Sequence, residues 1–176
     1  MNKGDVKLIN EFKTIKANEL AGNVFSLVGQ DWMLITSGPV DNYNTMTASW
    51  GGMGYLWNKN VCFIFVRPSR YTYEFMEKND NFSLSFFSEE WRKALTICGK
   101  KSGRDIDKAK ETGLKPLPGN NQTTGFEQSR LIIECKKLYY QDINSQQFLD
   151  PTIEKNYNGG DYHRMYVGEI LSINTK

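Results

Sequence analysis

The chain has 176 residues, enough for one generous domain that buries a core without disulfides. A net charge of +2 leaves no large field to draw it onto nucleic acid. Three scattered cysteines (Cys62, Cys98, Cys135) and a single histidine exclude a disulfide framework and a histidine-rich metal site. Ten Phe, nine Tyr and four Trp favour strands over a helix bundle.

Residues 1–30 are weakly periodic and read as an N-terminal arm, or one short helix, ahead of a domain over 31–176. The first five residues lack the apolar core of a signal peptide, and the longest apolar run, 61–66, is far too short to span a bilayer. A cytoplasmic protein with no membrane partner is expected. Residues 32–36 read as a strand ended by Ser37-Gly38-Pro39, and 45–50 resume β-prone character until Gly51-Gly52-Met53-Gly54 breaks it. The β-branched and aromatic run 61–66 suits a strand buried on both faces. Pro68 stops it, and Ser69 is placed to cap a helix that starts near Arg70 and ends at Asn79 or Asn81.

Residues 82–86 alternate apolar with serine, predicting a strand with one apolar and one small polar face. Ser88 opens a second helix with Trp91, Leu95 and Cys98 on one face and Gly99 as its stop. A third helix spans 105–112 and is closed by Gly113; residues 131–140 and 162–173 are the last strands. About six strands with short interrupting helices predict an antiparallel barrel rather than a doubly wound sheet.

Several chemistries are missing. Gly51-Gly52-Met53-Gly54 lacks the last glycine and the βαβ setting of a dinucleotide fingerprint, and Gly99-Lys100-Lys101-Ser102 lacks the earlier glycine of a phosphate loop. No serine-nucleophile elbow or zinc-protease motif occurs. An enzyme so poor in candidate acids and nucleophiles borrows its reactivity from a cofactor.

Four stretches can carry chemistry. In Asn44-Thr45-Met46-Thr47-Ala48-Ser49-Trp50, hydroxyls alternate with larger groups. That pattern fits the solvent face of an edge strand, or a polar edge for a flat heterocycle. Arg67-Pro68-Ser69-Arg70-Tyr71-Thr72 is a strand end leading into a helix start. It fits a capped helix with hydrated arginines, or a phosphate held by helix amides, guanidinium and hydroxyls. Ser102-Gly103-Arg104-Asp105-Ile106-Asp107-Lys108 is a second turn into a helix, either a charged surface element or the completion of an anion site. His163 opens the last strand, as a satisfied half-buried residue or a proton relay beside a reactive ring. The cysteines behave as small hydrophobes.

Taken in order, and with Val167-Gly168-Glu169 after His163, these stretches resemble the flavin-reductase-like FMN-binding split-barrel family. Ser102 to Lys108, followed by Thr112-Gly113-Leu114, is most similar to the flavoredoxin branch. The resemblance implies a mainly β fold, a six-stranded antiparallel Greek-key split β-barrel, with one FMN per subunit of a homodimer. It implies that Met46, Thr47, Ala48, Ser49 and Trp50 hold the isoalloxazine and that Arg67, Ser69, Arg70, Tyr71 and Thr72 hold the phosphate. Ser102 and Lys108 are further cofactor-side positions. Electrons would come from NADH, NADPH or a redox protein partner, and His163 is the candidate proton donor. A flavin electron carrier without nicotinamide activity and a non-enzymatic β-barrel interaction module are the competing expectations.

Overall fold

The computed structural model describes residues 11–176, so the first ten residues of the expected arm lie outside the described residues. Among the described residues the fold is mainly β, and no helix is long and apolar enough to cross a membrane.

Seven strands form one antiparallel path. In spatial order these are β3 (Asn44–Ala48), β2 (Met33–Ser37), β6 (Asn81–Phe86), β9 (Leu131–Asp142), β10 (Arg164–Thr175), β5 (Lys59–Val66) and β4 (Gly51–Leu56). The two edges of that path, β3 and β4, are joined in sequence by Ser49 and Trp50 alone. Two edges tied by a dipeptide must come together, so the sheet rolls into a barrel split between β3 and β4. The split matters for function: the outward side of each edge strand has backbone N–H and C=O groups that no ladder uses.

Two clusters hold this roll in place. Inward residues of alternating parity fill the barrel, among them Met33 and Ile35, Cys62, Ile64 and Val66, Phe82, Leu84 and Phe86. On the outer face Leu34 packs with Leu95, Cys98, Leu114 and Phe126, beneath helix α3 (Arg92–Lys100). Hence all five residues of β2 are buried. Each such aliphatic or aromatic side chain contributes about 1.5–3 kcal/mol relative to exposure. Helix α2 (Tyr71–Lys78) sends Met76 into the barrel cluster. Two other short α-helical segments are α1 (Val24–Ser26, continuing as a π turn over Leu27–Asp31) and α4 (Lys108–Thr112), and four 3-10 turns occur among the described residues.

Several expectations need correction. Among the described residues ten strands form, seven of them on the main path, where about six were expected. Strand β1 (Lys13–Ile15) pairs with the C-terminal end of β10, and β7 (Pro116–Pro118) pairs with β8 (Thr124–Phe126) outside the main sheet. The glycine cluster expected to end the 45–50 strand follows its end at Ala48, and itself begins β4: Gly51 adopts φ +152, and a Cβ there would lie 2.5 Å from the Phe63 carbonyl oxygen. Glycine permits the tight corner and the strand resumes at once. Gly99 does not end α3, which runs on to Lys100; a Cβ there would lie 3.3 Å from Thr47 Cβ, so close approach to β3 explains the residue better than termination. The third helix begins at Lys108, with Asp107 rather than an earlier residue capping it. Strand β6 is buried on both faces, its Ser83 hydroxyl donating to the Thr124 carbonyl at 2.5 Å.

Candidate functional site

Hydrogen bonds tie the first three sequence stretches together, and a ring contact brings His163 to them. Asn44 of β3 donates from Nδ2 to Thr72 Oγ1 of α2 at 2.7 Å. Arg70, the residue preceding α2, donates to the Cys98 carbonyl near the end of α3 at 3.3 Å. Lys108 Nζ donates to the carbonyls of Thr45 at 2.6 Å and Cys98 at 2.9 Å. The Trp50 and His163 rings lie 5.1 Å apart.

Two recesses result, and Arg70 borders both. The first, about 180 Å³, is lined by Met46, Thr47, Ala48, Ser49, Trp50, Phe65, Arg67, Arg70 and His163, at the split between β3 and β4. The second, about 130 Å³, is lined by Ser69, Tyr71, Thr72, Ser102 and Lys108, along with Lys100, Lys101 and Gly103. Every residue expected to hold the cofactor, and His163, therefore borders one recess or the other. A wider hollow of about 700 Å³ lies beyond Gly103 and Lys108. Its walls mix Asp41 and Asp107 with lysines, and it takes in neither Arg70 nor the strand edge at Ser49 and Trp50. The two smaller recesses are therefore the better candidate site, despite their size.

The electrostatics of the second recess are distinctive. Lys108 is buried, and its ammonium meets two backbone carbonyls but no carboxylate. Burial lowers its pKa to about 8. Burial, and then neighbouring Arg67, also lower the pKa of Arg70. Neither residue enters an ion pair among the described residues, whereas Arg67, Arg104, Arg164 and Lys101 all do. Two desolvated cations share the Cys98 carbonyl at the negative end of α3, which offsets only part of their charge. An anionic ligand would complete the balance.

Other side chains have duties of their own. The Thr47 hydroxyl donates to the Leu95 carbonyl at 2.5 Å, and Thr45 bonds Thr36 at 2.8 Å, so the hydroxyl face of β3 lies under α3 and not in solvent. Arg67 donates to the Asn156 carbonyl at 2.7 Å and stacks over Tyr157 at 5.2 Å. Ser69 does not cap α2; Arg70 takes the cap position without a side-chain bond, and Ser69 instead bonds Asp161. Gly103 is wedged in the wall, where a Cβ would lie 2.0 Å from Asn44 Oδ1 and 3.2 Å from the Tyr71 ring.

His163 is buried, with Nδ1 3.1 Å from the Tyr157 hydroxyl. Burial first, then Arg67, lower its pKa to about 4, so it is neutral at neutral pH. The unfolded chain therefore binds this proton at a higher pH than the folded one. The stability contributed is complete above the ordinary value near 6.5 and is lost as pH falls from there towards 4. His163→Phe is expected to flatten the dependence of melting temperature on pH in that window; an unchanged slope would assign it to other groups.

Sequence reasoning missed Phe65, Lys100, Lys101, Gly103 and Asp161 as neighbours of the recesses. Gly103 lay inside a motif already singled out, so its wedge role was within reach. Asp161 lies in an irregular loop with no periodicity to place it.

The model of the flavin reductase like domain matches residues 25–176. Among solved structures, the FMN-binding protein of Thermus thermophilus with bound p-hydroxybenzaldehyde is similar with TM-score 0.67 at 17% identity, covering 93% of this chain and 82% of that one. The flavoredoxin of Desulfovibrio vulgaris (Miyazaki F) is similar with TM-score 0.65 at 22% identity, covering 93% and 76%. An NADH:FAD oxidoreductase of Streptomyces globisporus has TM-score 0.62 at 15% identity, covering 83% and 75%. Likeness at these identities establishes the fold alone. No curated protein matches the sequence.

Proposed function

Because the chain belongs to the flavin reductase-like domain family, we propose that it binds FMN across the two recesses and works as an oxidoreductase. In this reading it passes electrons from NADH, NADPH or a redox protein through FMN to an acceptor, in the cytoplasm. The observation that carries the reading is the pair of half-buried Arg70 and buried Lys108, neither in an ion pair among the described residues, beside a strand edge whose backbone groups no ladder uses. The names of the similar FMN-binding protein and flavoredoxin point the same way.

The ring system would lie in the first recess, its polar rim against the chain from Met46 through Trp50 and its faces near Trp50, Phe65 and His163. The phosphate would lie in the second, held by Arg70 and Lys108 with Ser69, Tyr71, Thr72 and Ser102 around it. Bound flavin supplies the two-electron chemistry that no side chain here provides. Positive charge from Arg70 and Arg67 near the recess favours an anionic ring. His163, neutral and held by Tyr157, would orient the ring edge and pass a proton only through its N–H. Trp50 is 45% exposed, so one side of the first recess lies open to a nicotinamide or a protein donor.

A second copy of the chain would cover the exposed Tyr55 and Trp57 on the β4–β5 hairpin. Trp57 and Asn58 there hold φ values of +51 and +58, a strained choice for a tryptophan. Sedimentation equilibrium should give a dimer, weakened by Trp57→Ser.

Titration with FMN tests the binding claim. Arg70→Ala should weaken FMN by about 1–3 kcal/mol, through loss of a charge-assisted contact to phosphate. Unchanged affinity would overturn the phosphate placement. Anaerobic mixing of the FMN-loaded protein with NADH or NADPH tests the donor. Rapid bleaching with either is expected; no bleaching with both leaves an electron carrier fed by a protein.

A further inference from the structure

Ser69 sits at the turn from β5 into α2, where the chain offers an amide, a hydroxyl and a nearby guanidinium. Those donors suit an oxyanion, and a carboxylate already holds them. Asp161 Oδ1 accepts from the Ser69 amide at 3.0 Å, its Oδ2 accepts from the Ser69 hydroxyl at 2.5 Å, and Oδ2 lies 3.9 Å from Arg67 Nη1. The two residues come from segments far apart in sequence, so the contact is built by the fold. Asp161 holds a left-handed φ of +55 just after Gly159 and Gly160, and its side chain is about one-third exposed.

We infer that Asp161 is a built-in competitor for the phosphate end of the ligand, lowering affinity for phosphorylated flavin and sparing the unphosphorylated one. The inference rests on the flavin reading above. Phosphate and carboxylate seek the same donors. Two arrangements are open to a phosphate in the second recess, and both act with one sign. If it takes the Ser69 donors, it must displace Asp161. If it stays on Arg70, Lys108, Thr72 and Ser102, it lies near a carboxylate that Arg67 only partly balances, and is repelled. Arg67 cannot cancel that repulsion fully, because it is shared with the Asn156 carbonyl and the Tyr157 ring. Asp161 thereby shifts the balance for phosphorylated flavin away from tight retention.

Asp161→Asn keeps the shape and one acceptor for Ser69 while removing the charge. Flavin fluorescence quenching should show FMN bound about tenfold more tightly by this variant, the scale of one charge a few ångströms away in a half-exposed setting. Riboflavin affinity should stay within about twofold, and the FMN gain should shrink at high salt. Asp161→Ser, smaller and unable to mimic a carboxylate, should move FMN the same way. FMN bound no more tightly by either variant overturns the inference, as does an equal gain for riboflavin, which would mean a loosened loop. A wild-type protein that binds neither flavin overturns the flavin reading itself, and this inference with it.

Discussion

Replacing Lys108 by Met is expected to weaken FMN binding about a hundredfold, roughly 3 kcal/mol, while leaving riboflavin binding nearly unchanged. Lys108 is buried, and its ammonium is fixed by the Thr45 and Cys98 carbonyls, which leaves one N–H for a ligand. A cation fixed in this way needs no reorganisation to meet a phosphate, and low local polarity strengthens the contact. Met retains the stem and its packing. Two carbonyls lose a donor, a cost of about 1–3 kcal/mol, but the penalty of burying an unpaired charge is also relieved. The melting temperature should therefore move little.

The same residue gives a sign for pH. Burial lowers the Lys108 pKa to about 8, so rising pH removes its proton within reach of experiment. The phosphate of FMN stays dianionic above about pH 7.5, its second pKa being near 6. Affinity for FMN should hold at neutral pH and fall as pH rises through 8 and beyond, because a bound anion itself raises the lysine's pKa. Lys108→Met should give a flat profile at the lower affinity. A wild-type profile that stays flat to about pH 9.5, or a variant that binds FMN normally, would place the phosphate elsewhere.

Much of this fold is legible in the sequence alone. The strands at 33–37 and 59–66 announce themselves through continuous apolar, β-branched and aromatic runs, and that at 81–86 through alternation in period two. The turn at Arg67 to Thr72 announces itself through Pro68 and the residue types after it. Glycine hid β4, because at Gly51 it marks a corner and not an end. Strand β1 is three residues long, and β7 begins and ends in proline; both are strands only because a partner is nearby. The roles of Arg67 and Ser69 could not be read locally. Their partners Asn156, Tyr157 and Asp161 come from an irregular loop, and only the fold brings it across the strand-to-helix turn.

Gly168 carries a large expected effect on stability. It lies mid-strand in β10, opposite Cys62 of β5 and next to an irregularity in the β9 register. A Cβ there would fall 2.5 Å from Phe82 Cζ, 2.8 Å from Phe82 Cε1 and 3.2 Å from Cys135 Cβ. Phe82 is fully buried in the barrel cluster, and Cys135 is packed with its Sγ 3.4 Å from that of Cys62, so neither can retreat into solvent. Close-packed interiors answer such an insertion by backbone shift or off-rotamer side chains. Gly168→Ala should cost about 3 kcal/mol, which for a chain of this size lowers the melting temperature by about 6–12 °C. The decisive comparison is a double-mutant cycle with Phe82→Leu. Alone, that change opens a cavity and destabilises; together with Gly168→Ala, the shortened side chain makes room for the new methyl, and part of the loss should be recovered. Strictly additive losses would show that the strand, and not the Phe82 ring, sets the need for glycine.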